Sequence, residues 1–199
     1  MGQEFFARDA RTVARELLGK YLVRRYQGRE AAYMITEVEA YVGPHDKASH
    51  AHRGRTKRTE VMFGKAGRFY VYLVYGMYWM LNIVTDADDY PSAVLIRGAV
   101  PVDIVKQKRG KKGKKEKSYS IVLQNNRITK AVLNGPGKLT CRLHIDGELN
   151  AQKVERATGL WVEDRGVRVP VKKILRLPRV GVAYAGEWAA KPYRYILKE

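Results

Sequence analysis

At 199 residues, with 45% hydrophobic and 29% charged residues, the chain has the balance of an ordinary folded protein with one well-buried core, which excludes a disordered tail. Its 38 Lys and Arg against 20 Asp and Glu leave a net charge of +18, pointing to a polyanionic partner: nucleic acid or an anionic membrane surface. The single cysteine, Cys141, excludes an intrachain disulfide and Cys-rich metal frameworks; no apolar run is long enough to cross a bilayer, and residues 1–6 lack a secretion signal, so a reducing cytosol is expected.

In chain order, Asp9 can cap a helix in which Ala10, Val13, Ala14, Leu17 and Leu18 share one face, with Gly19 closing it. Residues 21–26 and 32–41 read as two strands joined by a turn around Gly28. Alternation in the second strand predicts a core face of Met34, Thr36, Val38 and Ala40, opposite a face bearing Glu37, Glu39 and Tyr41. Residues 42–59 form a polar loop with three histidines and several basic residues, long enough to be functional. Residues 69–74 and 78–84 form a hairpin turning at Tyr75-Gly76-Met77, and residues 93–98 add a strand containing Arg97. Lysine and glycine interleave over residues 106–117 without a core pattern, which predicts a basic loop. Residues 128–133 and 138–143 read as short helices around Gly135-Pro136-Gly137, and Trp161 and Ile174 fall in strands. The chain therefore reads as a single α+β domain over residues 1–199, with a curved, mainly antiparallel sheet flanked by short helices and no internal repeat.

Three groups of residues could carry chemistry. A carboxylate on a strand can deprotonate a water, but a pair such as Glu37 and Glu39 is by alternation alone more simply a solvated face. His45, His50 and His52 are close in sequence, yet their spacing suits a metal poorly, and hydrogen bonding or stacking is the better reading. Tyr70 and Tyr72 share one strand face, opposite Phe69, Val71 and Leu73, while Tyr75 sits at the turn. A basic surface lined with tyrosines and holding a carboxylate is what extrusion and chemistry on a nucleic-acid base would need.

The run Glu37-Val38-Glu39-Ala40-Tyr41-Val42-Gly43-Pro44 with Asp46 and His50, then Tyr70-Val71-Tyr72 and Tyr75-Gly76-Met77-Tyr78 through Asn82, resembles the alkyladenine (3-methyladenine) DNA glycosylase family. Val94-Leu95-Ile96-Arg97, Asn134 to Leu139, Arg179-Val180-Gly181 and Ala185-Gly186-Glu187-Trp188 extend the resemblance over nearly the whole chain. It implies a monofunctional enzyme that flips alkylated or deaminated purines out of double-stranded DNA and hydrolyses the N-glycosidic bond. It further implies that Glu39 is the general base, holding a water together with Arg97 and the backbone carbonyl of Val180. Tyr41, His50 and Tyr72 would sandwich the purine, Tyr75 would enter the duplex in its place, and Asn82 would screen out the amino group of normal guanine. Glu37 is assigned no catalytic part and reads as structural. No metal, organic cofactor, Schiff base or membrane is implied; a monomer is expected, cytoplasmic with the nucleoid in a bacterium or nuclear in a eukaryote.

Two other classes compete on the residues alone. A non-catalytic nucleic-acid-binding protein would explain the charge and the tyrosines, but not a carboxylate on a polyanion-binding face. A metal-dependent nuclease would need an acidic cluster that the motifs do not supply.

Overall fold

In the computed structural model, residues 1–102 and 133–198 are described. The N-terminal segment forms α1 (Gln3–Phe6) and α2 (Ala10–Leu17). The Asp9 carboxylate accepts hydrogen bonds from the amides of Arg11 and Thr12, satisfying donors that the first helical turn cannot pair internally. Ala10, Val13, Ala14 and Leu17 are fully buried against the sheet, and a Val or Leu buried in this way contributes about 1.5–3 kcal/mol.

The strands are β1 (Tyr21–Tyr26), β2 (Arg29–Tyr41), β3 (Phe69–Val74), β4 (Tyr78–Thr85), β5 (Ser92–Val102), β6 (Leu133–Asn134), β7 (Leu160–Glu163), β8 (Ile174–Leu177) and β9 (Arg194–Leu197). Their order is β3-β4-β5-β2-β1-β7, with β6 on β5 and β8 reaching the sheet through β9, which pairs with β2. Among the described residues every strand pairing is antiparallel, in an α+β domain as expected. The β1–β2 hairpin turns through Gln27 and Gly28, both at positive φ (49° and 74°), the backbone twist that a two-residue antiparallel connection favours. β2 is the organising strand: it pairs with β1 up to Met34 and with β9 from Glu37 to Glu39, while β5 lies along its other side.

The β2–β5 register shifts twice, between Ile35 and Glu37 and between Glu37 and Val38, so that Thr36 on β2 and Arg97 on β5 have no opposite partner. An unpaired residue in a strand reverses which face its neighbours point to. Tyr33 and Ile35 therefore lie in the main core with Val38 and Ala40, whereas Met34 packs on the other face with Tyr21, Val23, Ala32 and Trp161. The expected core face of Met34, Thr36, Val38 and Ala40 is thus corrected: strict alternation holds only after the shift, where Glu37, Glu39 and Tyr41 share one side.

The helix expected over residues 138–143 is α3 (Pro136–Arg142), which starts with a proline at its first turn, where the missing amide is harmless. Leu133 is part of strand β6, paired with Ala99, and not the end of a helix; residues 128–132 and the basic loop at 106–117 lie outside the described residues. Trp161 and Ile174 stand in β7 and β8 as expected. No helix among the described residues is long and apolar enough to cross a membrane.

Candidate active site

Glu39 lies where β5, β2 and β9 run side by side, opposite Leu95 on one flank and Arg194 on the other, and is fully buried. Its Oε1 accepts the amide of Val180 at 2.8 Å and lies 3.4 Å from a terminal nitrogen of Arg97. Its Oε2 accepts the hydroxyl of Tyr41 at 2.9 Å. An ionised carboxylate offers about four acceptor directions, so one remains on the Oε2 side for a further donor. Burial raises the pKa of Glu39; the Arg97 charge, the Val180 amide and the Tyr41 hydroxyl oppose this without cancelling it. Burial and the adjacent Glu39 push Tyr41 well above the usual phenol range, so the hydroxyl keeps its proton and donates.

The aromatic wall beside this carboxylate comes from β3 and the loop after β2. Phe69 and Val71 enter the core while Tyr70 and Tyr72 occupy the opposite face, as alternation predicted; Leu73, however, is exposed near the strand end. Ser49 caps a short 3-10 turn, His50–Arg53, that delivers His50 to this face. The His50 ring shares a hydrogen bond with the Tyr70 hydroxyl at 2.9 Å and meets Tyr72 edge-on, with ring centres 4.7 Å apart. Burial, then the charges of Arg58 and Arg53, lower the pKa of His50 to about 4, so the ring is neutral at physiological pH. The Arg58 guanidinium lies over the Tyr72 ring at 4.7 Å. Asn82, on β4, is buried on the same side and donates to the Tyr70 carbonyl at 3.1 Å. Tyr41 and Tyr72 are close enough that each of them feels Glu39.

A buried ion pair holds the loop that follows β2. Asp46 and Arg179 are both inaccessible; the guanidinium reaches both carboxylate oxygens, one at 2.8 Å, and also the carbonyls of Ala40 (2.9 Å) and Trp188 (3.3 Å). Asp46 in addition accepts the amides of Val42 and Ala48. Arg179 lies over the Tyr41 ring at 4.8 Å, and its neighbour Val180 supplies the amide to Glu39. At Gly43, φ is 66°, a left-handed backbone that favours glycine, and an added Cβ would fall 2.5 Å from the Tyr90 ring.

Tyr75 stands apart from these residues. At the β3–β4 turn it has φ 53°, followed by Gly76 at 65°, and it is 87% exposed. Left-handed backbone costs a non-glycine residue about 1–2 kcal/mol, and here that conformation projects a bare ring beyond the sheet.

The structure therefore brings together Glu39, Tyr41, Arg97 and Val180, and beside them His50, Tyr72 and Asn82, while Tyr75 stands at the hairpin tip. Sequence reasoning passed over the roles of Asp46, Arg179, Tyr70 and Arg58. Asp46 and Arg179 fall inside the quoted motifs, the one signal that could have marked them; Arg58 is one basic residue among several in its loop. Val180 touches Glu39 through its amide, a contact the motifs did not announce.

Residues 4–199 match the family model described as methylpurine-DNA glycosylase. The chain belongs to that family. Similar curated proteins carry the name "Putative 3-methyladenine DNA glycosylase": one from Methanocella arvoryzae is 44% identical, over 98% of this chain and 91% of its own length. Others come from Anaeromyxobacter dehalogenans strain 2CP-1 (42% identical, 98% and 81% covered) and Desulfitobacterium hafniense (40%, 100% and 95%). Membership makes the chain a DNA-repair hydrolase acting on N-glycosyl bonds, with DNA as its partner. In this family setting a buried carboxylate beside an aromatic wall is the arrangement to explain.

Proposed function

We propose that Glu39 activates a water for hydrolysis of the bond between C1′ and a damaged purine that has been flipped out of double-stranded DNA. The observation that carries this reading is the buried Glu39 carboxylate, held by two hydrogen-bond donors and a 3.4 Å Arg97 contact, with an acceptor direction left on Oε2 and an aromatic wall beside it. As the C1′–N bond lengthens, its electrons go to the base and the sugar acquires positive charge. The nearby carboxylate stabilises that charge and takes the proton of the attacking water, whose oxygen bonds to C1′. The Val180 carbonyl would share in holding this water. Tyr41, His50 and Tyr72 stack the extruded purine, Tyr75 fills the gap it leaves, and Asn82 rejects the amino group of guanine.

The substrates on this reading are 3-methyladenine and 7-methylguanine, which already carry positive charge and leave readily, together with hypoxanthine and etheno-adenine, which need protonation to leave. The enzyme acts as a monomer without metal or organic cofactor. The test is incubation of the purified protein with duplex DNA carrying 7-methylguanine or hypoxanthine at one position, followed by alkaline cleavage. Strand scission at the lesion by the native protein, but not by Glu39→Gln, is the expected result; equal scission by both would refute it.

A further inference from the structure

Glu37 is nearly inaccessible, yet motif and mechanism leave it unused. Its Oε1 accepts Arg97 Nε at 2.8 Å and Arg194 Nε at 2.7 Å, so two guanidiniums from flanking strands converge on one oxygen. The double register shift makes this possible: Glu37 stands opposite Gly98, and Arg97 is left unpaired beside it. The fit at Gly98 is close: an added Cβ would come within 3.1 Å of the Glu37 Cβ and 3.3 Å of the Leu133 carbonyl.

Arg97 makes its short contact with Glu37 and only a 3.4 Å contact with Glu39. A guanidinium with no other carboxylate in reach would close onto Glu39 in a two-pronged pair, the geometry that guanidinium and carboxylate favour. Such a pair would take the acceptor direction left on Glu39 and make the carboxylate a poorer base. We infer that Glu37 is a positioning residue: it draws Arg97 away from Glu39, keeping the Glu39 carboxylate free to accept the proton of water. This inference rests on the proposed role of Glu39. The other charged or titratable groups around the pair are Tyr41 on β2, Tyr72 on β3, Arg194 on β9 and Arg179 after β8.

The experiment is a double-mutant cycle of Glu37→Gln and Arg97→Lys, read as the single-turnover rate of 7-methylguanine release across pH. Thermal melting and binding to abasic product DNA serve as controls for folding. Glu37→Gln should slow release about 10²-fold, the usual scale for a displacement of about 1 Å in a reacting constellation, with DNA binding retained. With the Arg97 charge closer to Glu39, the acid limb of the rate should move to lower pH. In the Arg97→Lys background, Glu37→Gln should have little further effect. An unmoved acid limb, or effects that multiply in the double variant, would overturn the inference. If Glu37→Gln melts below the assay temperature, Glu37→Asp, with its charge withdrawn by one methylene, should shift the limb in the same direction by less, and an unmoved limb there counts equally against it. Glu39→Gln measured alongside separates the two claims: retained excision refutes the role of Glu39, whereas loss of excision with a multiplicative cycle refutes the role of Glu37 alone.

Discussion

The amide of Val180 donates to Glu39 Oε1 at 2.8 Å, although 141 residues separate the two. The last fifth of the chain thus supplies a donor to a carboxylate on the second strand, and Arg179 beside it anchors that segment to Asp46. Removing the carboxylate should therefore separate chemistry from binding. Glu39→Gln keeps the shape of the side chain but cannot accept a proton from water. Base release should fall by about 10²–10⁴-fold, the usual contribution of a general base, with affinity for lesion-containing duplex unchanged in a gel-shift titration.

Because burial raises the Glu39 pKa, and the base works only when ionised, base release should rise with pH through a midpoint above the ordinary glutamate value. A duplex carrying 7-methylguanine isolates this limb, since that base is already cationic and needs no protonation to leave. Arg97 is the strongest influence lowering the Glu39 pKa, so Arg97→Ala should move the midpoint to higher pH. A midpoint at or below the ordinary glutamate value would contradict the buried setting.

His50 should stay neutral until the pH approaches 4. Its ring resonances, followed by NMR, should not titrate between pH 8 and 5, and Arg58→Ala should bring the midpoint nearer to the ordinary value. The unfolded chain binds this proton near pH 6.5, the folded chain only near 4, so His50 makes the fold lose stability as pH falls through that window. Chemical denaturation at pH 7 and pH 5 should show the loss, reduced in His50→Gln.

Tyr75 is exposed and held at a positive φ, so the fold gains little from its ring. Tyr75→Gly should leave the melting temperature unchanged or raise it, by on the order of 1 kcal/mol of relieved backbone cost. Excision by Tyr75→Ala should drop more for etheno-adenine in a stable duplex than for the same lesion in a bulge, where unstacking is already done. A marked fall in melting temperature with equal slowing in both contexts would make Tyr75 a packing residue.

The Asp46–Arg179 pair offers the opposite test. With both side chains inaccessible, Asp46→Ala leaves a buried guanidinium without its counter-charge, at a cost of about 3–5 kcal/mol. The melting temperature should fall steeply, and excision with it, because Val180 loses its anchor.

What the sequence determined by itself is local. The Asp9 cap, the hairpin turns at Gly28 and Gly76, and the separation of Phe69 and Val71 from Tyr70 and Tyr72 all follow from side-chain chemistry and period within a few residues. The motifs placed Glu39, Tyr41 and Arg97 in one family pattern, and the fold brings them together. The remaining features depend on contacts between distant parts of the chain. An unpaired residue in β2 cannot be seen from the alternation it interrupts, so the shift at Thr36 moved Met34 off the face of Val38. Leu133, apolar enough for a short helix, became a strand because the edge of β5 offered it backbone partners. The second face of Glu37, a solvated surface by periodicity, is buried because β9 returns along β2 and brings Arg194 with it. Such contacts join residues far apart in the chain, and their energy comes from desolvation and from paired charges, which exist only once the strands have met.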